Sequence, residues 1–332
     1  MKNKVLFIKV GLDGGWYIEN HLEYLQRYLG DEFYIDINST PYPPFEDFLD
    51  RLDATPQMRS PEDYDLVIPV LGTHWHIDKD QYRHKVGIMS WEGMEGHHNG
   101  IAVAGATNPQ SEQAYKDSNI PYHSIRMGID TELFKPFKQQ KPDNLQVGLI
   151  GNFANERHRA VKMMEALRDV PGVDFVVYAH RYQSHLEIEK YGGMEMKETI
   201  KDAEKSWIAI PTCYNRLDVL VRVEQNEDYG FPVLEAAACG VPVVATDWGN
   251  CPAVLDAGGG ITIKQNIDID EQMKQMVKAV IYLRDHPEVR KTMGRRGRKE
   301  IEDNWTWPKQ INNWKKYLRE GIKNARETTA AR

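Results

Sequence analysis

Cysteine is scarce in this sequence. Cys213, Cys239 and Cys251 are the whole set, an odd number with no Cys-x-x-Cys pair. That leaves no basis for a disulfide framework and predicts a reducing cytoplasm, with Cys239 as a buried helix residue. Long apolar runs are lacking too. Nothing approaches the roughly 18 residues a membrane-spanning helix needs, and Met1-Lys-Asn-Lys4 leads straight into an apolar strand. Neither a transmembrane helix nor a signal peptide is expected. Positive charge is not in excess: 42 basic against 49 acidic residues give a net charge of −7. That argues against nucleic acid or an anionic membrane as the main partner. Internal repeats and low-complexity tracts are absent.

What remains is an ordinary globular composition, 41% hydrophobic and 27% charged, over 332 residues, enough for two cores. The chain opens with an apolar strand, Val5–Val10, a glycine turn, Gly11-Leu-Asp-Gly-Gly15, and a helix, Trp16–Leu29, with Ile18, Leu22, Leu25 and Leu29 on one face. Strands follow at Phe33–Ile37, Leu66–Leu71, Val86–Ser90 and Ile101–Ala106, with helices such as Phe45–Leu52 and Ser111–Ser118 between them. Further strands are expected at Leu145–Ile150, Val173–Ala179, Ser206–Ile210, Val241–Thr246 and Gly260–Ile263. Helices are expected at Arg159–Leu167, Glu195–Ala203, Asp270–Arg284, Pro287–Asn304 and from Thr306 to about Ile322. Thr328–Arg332 reads as a frayed tail. The alternation predicts parallel sheets covered on both faces, with ligands at the carboxyl ends of the strands. Lys135–Asn144, polar with two prolines, reads as an interdomain linker. Thr212–Asn226, long and charged, reads either as a surface excursion or as a segment that shapes ligand choice.

The stretch richest in chemistry is Glu227–Asn250, EDYGFPVLEAAACGVPVVATDWGN. Pro232 suits the first turn of a helix, Gly240 the left-handed position past its end, and Pro242 forbids continuation. Tyr229, Gly230 and Phe231 lead into that helix N-terminus, and Val233 and Leu234 lie in its first turn. Free N–H groups and the helix dipole there favour an anion such as a phosphate. Glu235 lies one turn inside and leans back toward the same end. A carboxylate beside an anion site fits a sugar, because it accepts two hydroxyl hydrogen bonds at once. Two solvated glutamates at an ordinary strand–loop–helix corner are the alternative.

Glu227 and Glu235, with Tyr229-Gly230 between them and Ala236-Ala-Ala-Cys-Gly-Val-Pro-Val-Val-Ala-Thr246 after them, resemble the Glu-x7-Glu signature of retaining glycosyltransferases of the family-four type. The resemblance implies the α/β GT-B fold, two Rossmann-like domains with parallel sheets facing across a cleft. The domains are placed at 1–138, on the acceptor side, and 139–332, on the nucleotide-sugar side, the last helix (about 306–322) crossing back. It implies a nucleoside diphosphate sugar as donor, no cofactor, no metal, and front-face transfer of a hexosyl group to an acceptor hydroxyl with retention. Glu227 then meets the hexose and Glu235 the ribose. Gly14 and Gly15 let backbone approach the donor phosphate. The loop Gly151-Asn-Phe-Ala-Asn-Glu-Arg157 corresponds to one whose two cations hold the diphosphate. Arg157 stands at one of those positions, Asn152 at the other, and Arg159 or Arg222 is a substitute for the charge lost.

On the acceptor side Ser90-Trp-Glu92 departs from the family, which leaves Glu92, His74 and His76 as candidates. His74 and His76 have metal-ligand spacing but no third ligand in sequence. Arg290–Lys299 reads as a solvated basic face. A GT-B epimerase or phosphorylase, or a catalytically weak nucleotide-sugar-binding protein, remain alternatives. The acceptor and the oligomeric state are not legible.

Overall fold

The computed structural model describes residues 2–11, 16–41, 63–70, 83–90, 100–151, 159–179, 203–224, 229–265 and 267–331. In chain order the first elements are β1 (Asn3–Gly11), α1 (Trp16–Leu29), β2 (Phe33–Pro41), β3 (Leu66–Val70), β4 (Gly87–Ser90), β5 (Val103–Ala106), α2 (Pro109–Asp117) and β6 (His123–Ser124). Next come β7 (Leu145–Gly151), α3 (Ala160–Leu167), β8 (Val173–Ala179), α4 (Ala203–Arg216), β9 (Val219–Arg222), α5 (Phe231–Ala238), β10 (Val243–Thr246) and α6 (Cys251–Asp256). β11 (Gly260–Ile263), α7 (Ile269–Asp285), α8 (Pro287–Glu300) and α9 (Trp307–Ala330) complete the chain. The expected helix at Phe45–Leu52 and most of Glu195–Ala203 lie outside the described residues.

Residues 1–128 and 307–332 make one compact unit and residues 129–306 the other. In the first, β1 pairs in parallel with β2 on one side and β3 on the other. β5 pairs in parallel with β4 and β6. A parallel bridge between Val67 and Val86 continues one sheet into the next, giving the order 2-1-3-4-5-6. β3 is buried at every position, as a strand covered on both faces requires. Leu22, Leu25 and Leu29 of α1 are fully buried, following their helical spacing. Asn108 caps α2 with a reciprocal box: its Oδ1 accepts from the Ser111 N–H at 2.8 Å, while Ser111 Oγ accepts from the Asn108 N–H at 3.2 Å. α9 packs on this unit through Trp314, Tyr317, Leu318 and Ile322, all buried. Trp314 Nε1 donates to Arg126 O at 2.8 Å. The helix runs on to Ala330, so Thr328 and Thr329 are its last turn and donate to Asn324 O and Ala325 O.

The second unit holds a five-stranded parallel sheet in the order β11-β10-β9-β7-β8. Its core joins Val147, Leu149, Val219, Val221 and Val244 to Met163, Leu167, Met276, Val280 and Leu283. Here one expectation fails. Ser206–Ile210 is not a strand but part of α4, and the strand is Val219–Arg222, inside the segment read as an excursion. A five-residue apolar run does not by its period distinguish a buried helix from a strand. Pro211 sits inside α4. The polar stretch after Pro136 is tied to this same unit. Asn215 Oδ1 accepts from the Phe137 N–H at 2.8 Å, Asn215 Nδ2 donates to Lys135 O at 3.0 Å, and Lys141 Nζ pairs with Asp218 at 3.0 Å. Residues 129–138, which the resemblance placed in the first domain, belong to the second unit.

Candidate active site

In a doubly wound sheet the ligand crevice opens at the carboxyl ends of the strands where the winding reverses. In the second unit that point is between β7 and β9, since β8 lies on one side of β7 and β9, β10 and β11 on the other. The residues at this edge are Ile150 and Gly151 from β7 and Arg222 from β9. Arg222 donates from Nη1 to Ile150 O at 2.8 Å and from Nη2 to Glu224 Oε2 at 2.8 Å. Thr246, at the end of β10, donates its hydroxyl to Glu224 O at 3.0 Å. Three neighbouring strands are thus locked together by polar side chains at the sheet's functional edge.

α5 begins just beyond β9. Gly230 precedes it with φ +83°, a left-handed backbone that favours glycine, and a Cβ there would lie 2.9 Å from Cys251 Sγ. Val233 and Leu234 donate their N–H groups to Gly230 O at 3.1 and 3.2 Å, and their side chains are buried. Pro232 has no N–H to offer. The Tyr229 and Phe231 rings stack at 4.0 Å, and Asn250, at the start of α6, gives both its backbone N–H and Nδ2 to Tyr229 O at 3.1 and 3.0 Å. The loops before α5 and α6 are thereby joined. Trp248, on the second of these loops, has a buried indole N–H with no hydrogen-bond partner among the described residues.

Glu235 is 1% exposed, and Tyr214 of α4 donates its hydroxyl to Glu235 Oε2 at 2.7 Å. Burial, then the charge of Glu235, raises the Tyr214 phenol well above its ordinary range. The Cys239 thiol, one helical turn past Glu235, is raised for the same two reasons. Both therefore stay protonated beside the carboxylate. A buried carboxylate is expensive to maintain and marks a place where charge is used.

Of the residues singled out from sequence, the structure brings together Tyr229, Gly230, Phe231, Val233, Leu234 and Glu235. Gly14, Gly15, His74, His76, Glu92, Asn152, Arg157 and Glu227 lie outside the described residues. Of the two substitute cations, Arg222 is held in the buried pair just described. Arg159 precedes α3 with φ +49° and donates to Gln272 Oε1, while Gln272 Nε2 bonds Lys264 O and Gln265 O at 2.7 Å each. Sequence reading missed Tyr214, Glu224, Asn250 and Trp248. Tyr214 was hidden by the misassigned α4, whereas Trp248 and Asn250 sit in a strand-end loop that the β10 assignment already marked. No group of three or more His, Cys, Asp or Glu is placed to hold a metal ion among the described residues. Among them no helix is long and apolar enough to cross a membrane.

Two such parallel α/β units in one chain are what the GT-B fold is built from. The family model described as glycosyl transferase-like matches residues 157–316. The lipopolysaccharide core biosynthesis mannosyltransferase LpsB of Rhizobium meliloti is 27% identical over 63% of this chain and 65% of its own length, so the match spans just under two thirds of that relative. A sucrose-phosphate synthase from Thermosynechococcus elongatus superposes with a TM-score of 0.74 at 13% identity, covering 96% of this chain and 99% of that one. Anabaena HepE, solved with UDP and glucose, superposes at 0.66 and 13% identity over 99% of this chain and 100% of its own. The chain has the GT-B fold of these solved structures and is similar in sequence to glycosyltransferases.

Proposed function

We propose that this protein transfers a hexosyl group from a nucleoside diphosphate sugar to an acceptor hydroxyl, with retention at the anomeric carbon and without a metal or other cofactor. The observation that carries the reading is Glu235, a desolvated carboxylate one turn inside α5, whose start is fixed by Gly230 at the reversing edge of the parallel sheet. There its two oxygens accept the two ribose hydroxyls. The dipole of α5 and the Arg157 guanidinium stabilise the diphosphate as it takes up negative charge. Gly14 and Gly15 admit the donor phosphate to backbone. Glu227 orients the hexose, and the acceptor lies against Glu92 and His74 or His76. As the anomeric carbon–phosphate oxygen bond breaks, the acceptor oxygen attacks from the same face and its proton passes to the departing phosphate. LpsB, named as a mannosyltransferase, and HepE, solved with UDP and glucose, support a nucleotide-hexose donor.

A thermal-shift screen across UDP-, GDP- and ADP-hexoses tests the donor, because a ligand held only by the folded state raises the melting temperature. Incubating the stabilising donor with and without candidate acceptors, in EDTA, then separates the reactions. Transfer only with acceptor, giving an α-linked product from an α-donor by NMR, supports the proposal. Donor turnover to an epimer, or sugar phosphate formed from inorganic phosphate, assigns the fold to another reaction. Binding with neither transfer nor slow hydrolysis marks a binding protein.

A further inference from the structure

We propose that Tyr214 is the positioning residue of the ribose-binding carboxylate: its hydroxyl fixes the plane of Glu235 and so sets the preference for ribonucleoside over deoxyribonucleoside diphosphates. The inference rests on the reading of Glu235 given above.

A glutamate carboxylate turns about its last bond in a broad, nearly two-fold well, so helix placement alone does not aim its oxygens. Recognising a vicinal diol needs both oxygens in the diol plane at once. At 2.7 Å the Tyr214 hydroxyl holds one of those oxygens in place. The restraint is itself rigid. Tyr214 is fully buried, its ring meets Phe134 edge-on at 6.1 Å, and the next residue, Asn215, is held by Pro211 O, Lys135 O and the Phe137 N–H. The phenol is also the right kind of donor. A lysine or arginine in its place would neutralise Glu235 and compete for the oxygens meant for the sugar. A phenol leaves the charge in place, and its raised pKa keeps it a donor throughout the working pH range.

The experiment uses the full chain and isothermal calorimetry with UDP, GDP and ADP beside their 2′-deoxy counterparts. Wild type favours the ribo form of whichever base it binds. In Tyr214→Phe the ribo affinity falls about tenfold, the scale for one hydrogen bond to a charged group, while the deoxy affinity is unchanged, so the ribose preference collapses. Equal loss of both forms, or loss of neither, overturns the role of Tyr214. Glu235→Gln alone should also abolish the preference, and the double variant should lose no more than Glu235→Gln, because Tyr214 acts through Glu235. A preference that survives Glu235→Gln overturns the ribose assignment and this inference with it. A collapse confined to Glu235→Gln leaves the assignment standing and removes Tyr214 alone. Should Tyr214→Phe fail to fold, Tyr214→His keeps a ring donor. Its nitrogens stop short of the phenol oxygen's position, so a preference lost with deoxy binding intact supports the proposal, and a preference retained overturns it.

Discussion

Arg222 and Glu224 form a buried ion pair, 2.8 Å from nitrogen to oxygen, at the carboxyl end of β9, with side chains 6% and 1% exposed. β9 lies between β7 and β10, so the pair sits at the middle of the five-stranded sheet. Its guanidinium ties β9 to β7 through Ile150 O, and the Glu224 carbonyl ties the same edge to β10 through Thr246. The edge on which the α5 loop is built is thus held by charge inside the protein, at the point where the sheet's winding leaves a crevice.

Breaking that pair takes away the ionic partner of a buried charge. Glu224→Gln is expected to destabilise the second unit by about 3–5 kcal/mol, whereas Arg222→Met with Glu224→Leu recovers most of the loss. Urea unfolding read by tryptophan fluorescence checks this. A double variant as unstable as the single would place the destabilisation in packing and not in charge.

α8 carries two buried glycines with opposite expectations. A Cβ on Gly294 would run into the carbonyl oxygen of Gly240, a backbone atom that cannot swing aside. On Gly297 it would meet the Ala237 Cβ at 3.3 Å, a tight but yielding contact. Alanine also gains roughly 1 kcal/mol of helix propensity over glycine. Gly297→Ala is therefore expected near neutral and Gly294→Ala clearly destabilising, in thermal melts of the two variants side by side.

The first unit carries an acid sensitivity of its own. His21 is 2% exposed, 5.9 Å from the Trp307 ring, and burial lowers its pKa from 6.5 to about 3. The fold holds the neutral imidazole. Its contribution is complete above pH 6.5 and is lost as pH falls from 6.5 toward about 3, at up to ~1.4 kcal/mol per pH unit. His21→Leu should flatten the stability profile between pH 6.5 and 4 relative to wild type, measured as melting temperature against pH. Parallel profiles would show that His21 ionises without unfolding cost.

Much of this was legible beforehand, for physical reasons. α1, β8 and β11 fall at the bounds their periodicity predicts, because strong apolar spacing and flanking glycines agree there. Gly230 and Gly240 take the left-handed backbone that the α5 corner requires. β9 was not legible: Val219-Leu-Val-Arg222 is short and flanked by charge, and only its sheet neighbours make it a strand. Tyr214 was lost with it, since a residue's partner across two helices has no signature in spacing. The basic face at Arg290–Lys299 is also less uniform than composition implies. Arg298 turns inward and donates to Phe134 O and Ala238 O at 2.6 Å each, capping the carboxyl end of α5.

The three arginines near the proposed diphosphate site are expected to separate by the kind of defect they produce. Arg222 serves Glu224 and Ile150 O, and Arg159 serves Gln272, so both have structural work in the second unit. The proposed function puts Arg157 at the diphosphate by its resemblance to the family's diphosphate loop, with Asn152 at the position of the companion cation. A single remaining guanidinium, able to make two parallel hydrogen bonds to a phosphate, then carries more of the charge that develops on the leaving group. Arg157→Ala is expected to lower the transfer rate by on the order of a hundredfold, the scale for one preorganised contact. The melting temperature should stay near wild type. Donor affinity should fall less than the rate, because the charge builds in the transition state. Arg157→Lys keeps the charge without the fork and should retain part of the rate. Arg159→Ala and Arg222→Ala should instead lower the melting temperature first, with activity recovering when assayed well below it. Stable, inactive Arg222→Ala beside fully active Arg157→Ala would move the leaving-group cation to β9 and make the buried pair with Glu224 part of the chemistry.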